Sequence, residues 1–283
     1  MSKFFKIFQV NSKLGALDGG VRYGSSFKSG GSSQKNGLIS NIKIVAEALL
    51  IALIFRSLFF DNFHVPSGSM KPTLLIGDKI IVSKYTYGYS RYSFPFGLAP
   101  FSGRIFADEP QRGDIIVFKL PSNKRINYVK RLIGLPGDAI QVKDGLLYIN
   151  NEAVKLEKLA EFEDKIDKET FKIEQYAETL PNGVRHLVLD SYKGSFADNT
   201  PVFKVPQGHY FFMGDNRDNS QDSRFEEVGF VPSQLILGKV RRIFVSSENS
   251  LLNPFAYHKI RFKRSFSNPY KLSEDYTINS VNN

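Results

Sequence analysis

From Ile42 to Phe60 the chain reads IKIVAEALLIALIFRSLFF, an almost unbroken apolar run. As a helix it would extend roughly 28 Å at about 1.5 Å per residue, close to the thickness of a bilayer's hydrocarbon core. The pattern predicts a membrane anchor over residues 41–60. Its charges, Lys43, Glu47 and Arg56, lie near the ends, from where their heads can snorkel toward water. Ahead of it, Lys3, Lys6, Lys13, Arg22, Lys28 and Lys35 face Asp18 alone. The positive-inside rule puts that end in the cytosol and everything beyond Phe60 on the outer side. A cleavable secretory signal fits less well, because no small-x-small site follows the apolar run cleanly. The stretch GGVRYGSSFKSGGSSQKNG is too poor in apolar residues to repay ordering, and reads as a flexible leader.

Beyond the anchor the pattern changes to short apolar runs separated by Gly, Pro, Asp or Asn: KIIVSKYTYG, DIIVFKL, YVKRLIGL, AIQV, LLYIN, HLVLD, HYFFMG and KVRRIFV. Brief, β-branched or aromatic runs of this kind predict a mainly β domain. Asp144-Gly145 between two of them marks a hairpin. Two inserts break the pattern. Residues 151–181 are dense in Lys and Glu and predict a helical turn or an outer hairpin with a solvated face. Residues 85–106 interleave Tyr and Phe with Gly and Pro, and serve either as core cover or as a surface for the membrane interface.

The 283 residues suffice for one large or two modest domains with a real interior. A formal charge of +10 raises nucleic acid or an anionic membrane as partners. The basic residues are spread along the chain, and no zinc-finger, P-loop or helix-turn-helix pattern occurs, so nucleic acid is not expected. The absence of cysteine excludes disulfides, Cys-ligated zinc and thiol catalysis.

Directly after the anchor comes HVPSGSMKPTLLIGD, with Ser67 and Ser69 in a loop of small residues. On composition this is a spacer. A serine nucleophile needs a base. His64, His186, His209 and His258 are the only histidines, and none lies in a triad setting. Lysine serves instead when burial makes it neutral. In NYVKRLIGLPGD, Lys130 shares one strand face with Tyr128 and Leu132, whereas Arg131, which cannot act as a base, shares the other with Val129 and Ile133. A third stretch, MGDNRDNSQDSR over 213–224, predicts a tight polar loop clasped by ion pairs. Its spacing fails as a calcium loop, since Arg217 or Ser223 falls where a ligand or glycine is required.

In this order PSGSMKPTL, RGDIIVFK with YVKRLIGLPGD, and GDNRDNSQDSR resemble the motif boxes of bacterial type I signal peptidases, over about residues 40–245. The resemblance implies a Ser-Lys protease that removes signal peptides after small residues, on Ala-x-Ala type sites, at the outer face of the cytoplasmic membrane. It makes Ser69 the nucleophile and Lys130 the general base. Ser67 would complete the oxyanion hole, Ser220 would orient the lysine, and Gly214, Asp215, Asp222 and Arg224 would support the site. The implied partners are exported preproteins and the lipid bilayer, with no metal or organic cofactor. The implied fold is a mainly β, antiparallel catalytic core with a smaller variable β subdomain, preceded by a single transmembrane helix. Along the chain this gives a leader (1–40), an anchor (41–60), the core's first part (61–150), the variable subdomain (151–200), the core's second part (201–250) and a tail (251–283). The second membrane span of some relatives is not visible in residues 1–40. A self-cleaving regulator with the same dyad would carry a DNA-binding module. A membrane-tethered β-domain that only binds would leave Ser67, Ser69, Lys130 and Ser220 without work.

Overall fold

The run DIIVFKL has no alternation of polar and apolar residues, and the structure gives the reason: its strand, Ile115–Lys119, is covered on both faces. Ile116 and Phe118 pack with Leu132, Phe212 and Ile236 on one side, while Ile115 and Val117 pack with Met70, Ile80 and Val240 on the other. This computed structural model describes residues 33–94, 101–166, 169–190, 194–195, 197–247 and 260–271.

Ile115–Lys119 is the centre of a seven-stranded antiparallel sheet, in the order Phe60–His64, Asp78–Ser83, Ile236–Ser246, Ile115–Lys119, Asn127–Gly134, His209–Met213 and Val231–Pro232. The long strand Ile236–Ser246 pairs with both Asp78–Ser83 and Ile115–Lys119, and its bulges let one strand follow two neighbours. A four-stranded sheet holds the hairpin Ala139–Lys143 and Leu146–Ile149, whose turn residues Asp144 and Gly145 have φ of 48° and 79°. Two successive positive φ values are what the right-handed twist of a two-residue hairpin demands.

The Lys- and Glu-rich insert is a hairpin rather than a helical turn. Phe162–Ile166 pairs with Glu169–Ile173, and Lys155–Lys158, Gln175–Thr179 and Arg185–Leu189 form a three-stranded sheet. In the aromatic insert Tyr87 belongs to the core and donates its hydroxyl to Asp114 at 2.6 Å, in keeping with core cover, while Phe106 is 83% exposed. Residues 260–271, expected to lie in a tail, dock on the main sheet, with the Ile243 N–H donating to Ser267 O at 2.9 Å.

Residues 1–48 and 49–283 are separate units. The anchor region is helical over Ser33–Leu58. It therefore starts inside the stretch expected to be an irregular leader, and it stops short of Phe60, which opens the first strand. The rest of that leader lies outside the described residues. Among the described residues no helix is long and apolar enough to cross a membrane.

Candidate active site

The PSGSM loop joins the strands Phe60–His64 and Asp78–Ser83, and its two ends are tied together. Val65 N–H donates to Asp78 O at 2.9 Å and Gly77 N–H to Val65 O at 3.0 Å. Met70 and Leu74 are fully buried in the core below, and Lys71 N–H donates to Gly68 O at 3.0 Å in a tight turn. The apolar residues of the motif thus fasten the loop, and Ser67 and Ser69 are left to line the cleft. Ser67 is exposed, with its Oγ 3.4 Å from Ser69 Oγ.

Lys130, in the strand Asn127–Gly134, meets this loop. Its Nζ hydrogen-bonds to Ser69 Oγ, and it lies 5.4 Å from the Tyr128 ring, two residues along the same face. Lys130 is 4% exposed, and none of its hydrogen bonds among the described residues goes to a carboxylate. Burial pushes its amine down to about 8; Arg224 adds to this, while Asp222 and Asp215 oppose it.

The polar loop of residues 213–224 closes over both. Asp222 accepts from Gly214 N–H at 3.0 Å and from Arg224 Nε and Nη2 at 2.9 and 3.0 Å. Burial alone would raise the Asp222 carboxyl, but the Arg224 guanidinium and these donors hold it below its ordinary value. At Gly214 a Cβ would lie 2.2 Å from Ser220 Oγ and 2.5 Å from Ser69 O, so only glycine fits. Asn216 N–H donates to Ser69 O at 3.1 Å, and its Nδ2 to Gly68 O at 3.2 Å. Ser220 Oγ is buried but makes no hydrogen bond to Lys130. Asp215 faces away from the lysine and is gripped by Arg131, Nε to Oδ1 at 2.7 Å and Nη2 to Oδ2 at 2.6 Å.

Beside Ser69 and Lys130 lies a cleft of about 370 Å³, walled by Phe63, Ile80, Val117, Ile126 and Val129. A larger cavity of about 560 Å³ lies on the Arg131 side. Of the basic residues lining it, Arg112, Arg131, Arg185 and Lys239 are paired with Asp138, Asp215, Glu157 and Asp114, Arg241 donates to the Ser83 and Thr86 hydroxyls, and neither Ser69 nor Lys130 lines it. The smaller cleft is therefore the candidate site.

The profile described as "Signal peptidase, peptidase S26" matches residues 38–245. The chain belongs to this family. Among its relatives, the signal peptidase I of Rickettsia typhi is 41% identical over 247 residues, covering 80% of this chain and 92% of that protein. The signal peptidase I of Rickettsia canadensis is 42% identical over 256 residues, covering 82% and 94%. A crystal structure of a signal peptidase I from Enterococcus faecalis V583 is 30% identical, covering 47% of this chain and 97% of that one, at a TM-score of 0.29. The assignment rests on the sequence matches, and makes the chain an S26 serine endopeptidase.

Within this S26 peptidase, sequence reasoning missed the residues that hold the polar loop from outside. Arg131 was read only for the face it occupies. Arg217 donates two hydrogen bonds to Glu178 at 2.7 Å each, which joins the loop to the three-stranded sheet. Burial would raise Glu178, but the Arg217 guanidinium holds its carboxyl far below the usual range. Beside it, Asp190, Asp198 and Asp218 bring carboxylate oxygens within 4.8 Å of one another, and burial together with the Asp218 charge pushes Asp190 up to about 6.

Proposed function

We propose that this S26 peptidase removes signal peptides from exported preproteins with Ser69 as nucleophile and Lys130 as general base. The observation that carries the reading is the buried Lys130 amine, hydrogen-bonded to the Ser69 hydroxyl and to no carboxylate, with burial outweighing the nearby Asp222 and Asp215 charges. Neutral Lys130 takes the Ser69 proton as Oγ attacks the peptide carbonyl. The tetrahedral oxyanion is met by the Ser67 hydroxyl and the Ser69 N–H, each donor in such a hole contributing about 2.7 to 4 kcal/mol. The C–N bond breaks as the lysine ammonium gives its proton to the departing amine, which leaves an acyl-enzyme on Ser69. Lys130 then takes a proton from water, the hydroxide attacks the ester carbon, and Ser69 leaves with the proton restored.

Gly214, Asp222 and Arg224 support this dyad by fixing the polar loop against the Ser69 backbone, and Asp215 does so through Arg131. Ser220, buried against Gly214, fixes the space in which the lysine amine turns. A cleft of about 370 Å³ with largely apolar walls suits small apolar residues such as those of an Ala-x-Ala site.

The helix Ser33–Leu58 falls short of a fully apolar span, and the reading of its apolar part as the membrane anchor, with a cytosolic N-terminus and the peptidase domain on the outer side of the cytoplasmic membrane, belongs to this proposal. Ile42, Leu49 and Leu53 on this helix are 60%, 66% and 58% exposed, and Lys43 and Glu47 lie 3.8 Å apart as an i, i+4 pair, which lowers the cost of both charges in lipid. Enzyme and signal peptide then share one bilayer, and cleavage gains from proximity.

The test is cleavage of a purified preprotein with an Ala-x-Ala site, with mass spectrometry of the products. Cleavage after the last alanine by the wild type, with Ser69→Ala and Lys130→Ala folded and inert, is expected. An inert wild type on several preproteins in lipid would favour the membrane-tethered binding module, and an active Lys130→Ala would remove the lysine from the mechanism.

A further inference from the structure

Two residues after Ser69, Lys71 turns away from the cleft. Its Nζ reaches Asp164 of the inserted hairpin, 2.7 Å from Oδ1 and 2.6 Å from Oδ2, and both residues are only 9% exposed. On the way the lysine stem runs along Gly68, where a Cβ would lie 3.2 Å from Lys71 Cε and 3.4 Å from Cδ. Gly68 separates Ser67 from Ser69, so the stem lies against the backbone that sets the spacing of the two hydroxyls. Opposite it, Asn216 Nδ2 holds Gly68 O at 3.2 Å. The turn is therefore held from two sides, by the polar loop and by the insert.

The pair is costly to build. A buried ion pair has to recover the desolvation of both ions, and replacement by apolar residues of similar size is often neutral or stabilising. The main core of the loop, Met70 and Leu74, is already fully buried without it. What a two-oxygen grip supplies in addition is direction, since it fixes where the lysine head and therefore its stem lie.

We propose that Lys71 and Asp164 are positioning residues for the reaction: the inserted hairpin Phe162–Ile173 acts through this ion pair to hold Gly68, and with it the Ser67–Ser69 geometry, in the reactive arrangement. The insert is then part of the catalytic apparatus at a distance, and not only a solvated outer face. This rests on Ser69 being the nucleophile, and it adds a dependence on Asp164, which lies outside the family's motif boxes.

The test compares wild type, Asp164→Asn, the exchanged pair Lys71→Asp/Asp164→Lys, and the apolar pair Lys71→Met/Asp164→Leu. Preprotein cleavage, thermal midpoint, and amide hydrogen exchange of residues 67–70 are measured for each. For Asp164→Asn, kcat is expected to fall about tenfold with KM changed less than about twofold, as for lost orientation of a reacting group. The loop amides are expected to exchange faster. The apolar pair is expected to keep the wild-type midpoint yet remain slow and fast-exchanging, which a purely stabilising contact would not do. Partial recovery of kcat in the exchanged pair supports the ionic tether. If the apolar pair matches wild type in both kcat and loop exchange, or Asp164→Asn changes neither, the proposal is overturned. Hydrogen exchange does not depend on turnover, so an inert wild type would count against the protease reading while the exchange data still decide whether the hairpin holds the loop.

Discussion

Lys130 and Arg131 are consecutive residues of one strand, and their side chains leave it on opposite faces, one to the Ser69 hydroxyl and the other to the Asp215 carboxylate. The strand thus delivers a reactive amine to one side and fastens the polar loop from the other.

Breaking the Arg131–Asp215 pair from one side leaves an uncompensated charge at a site where both side chains are 1% exposed. Asp215→Asn and Arg131→Met are each expected to lose about 3 to 5 kcal/mol of stability in denaturant titrations. The double change Arg131→Met/Asp215→Leu is expected to regain most of it while activity stays low, because the polar loop loses its fixed position over Lys130.

Gly214→Ala places a methyl group 2.2 Å from Ser220 Oγ and 2.5 Å from the Ser69 carbonyl oxygen. Both contacts are clashes, and Ser69 is the proposed nucleophile. Overpacking of this kind costs about 1 to 3 kcal/mol, and the expected outcome is a folded protein with preprotein cleavage reduced at least about a hundredfold. An active Gly214→Ala would mean that the polar loop does not set the position of Ser69.

Burial lowers the Lys130 amine to about 8 from the usual 10.5. Between those values the unfolded chain holds a proton that the native protein has released, so the contribution of Lys130 to stability rises with pH across that window. Below about 8 the native protein carries the full penalty of a buried ammonium, on the order of 3 kcal/mol. Lys130→Met is therefore expected to be inert yet to melt higher than wild type at pH 7, with the difference shrinking as pH rises toward 10.

Three carboxyls stabilise the native protein where the buried lysine costs it, and their contribution likewise rises with pH, in a lower window. Asp215, Asp222 and Glu178 are held below their ordinary values by Arg131, Arg224 and Arg217 against the effect of burial. Their stabilisation is complete above the unfolded-chain values near about 4 and is lost as pH falls through the lowered native values. The thermal midpoint is expected to drop steeply below pH about 4, and Asp222→Asn is expected to flatten that drop.

Part of the candidate site was legible along the chain, because its proposed residues sit on short local stretches. The period of two put Lys130 and Arg131 on different faces, whereas the loop of small residues reads as a spacer on composition, and Ser69 stood out only through the resemblance of the motif boxes. The Asp144-Gly145 turn was legible for the same reason, since the left-handed backbone it needs is written in two adjacent residues. What could not be read were partnerships across the fold. Lys71 and Asp164 are 93 residues apart, and Arg131 and Asp215 are 84 apart, and neither pair leaves a local signal. The tail at 260–271 was missed likewise, because its docking depends on a sheet edge assembled from distant strands. The start of the helix at Ser33 lay hidden in a Gly- and Ser-rich stretch where propensity argues against a helix.

The central claim is that a neutral Lys130 activates Ser69, and it is tested most directly by measuring single-turnover cleavage of a preprotein from pH 6 to 10 beside a direct NMR titration of the Lys130 amine. Both curves are expected to rise together with a midpoint of about 8. A cleavage rate that is flat from pH 6 to 9, or a Lys130 amine that titrates at an ordinary lysine value while the enzyme is fully active at pH 7, would contradict it.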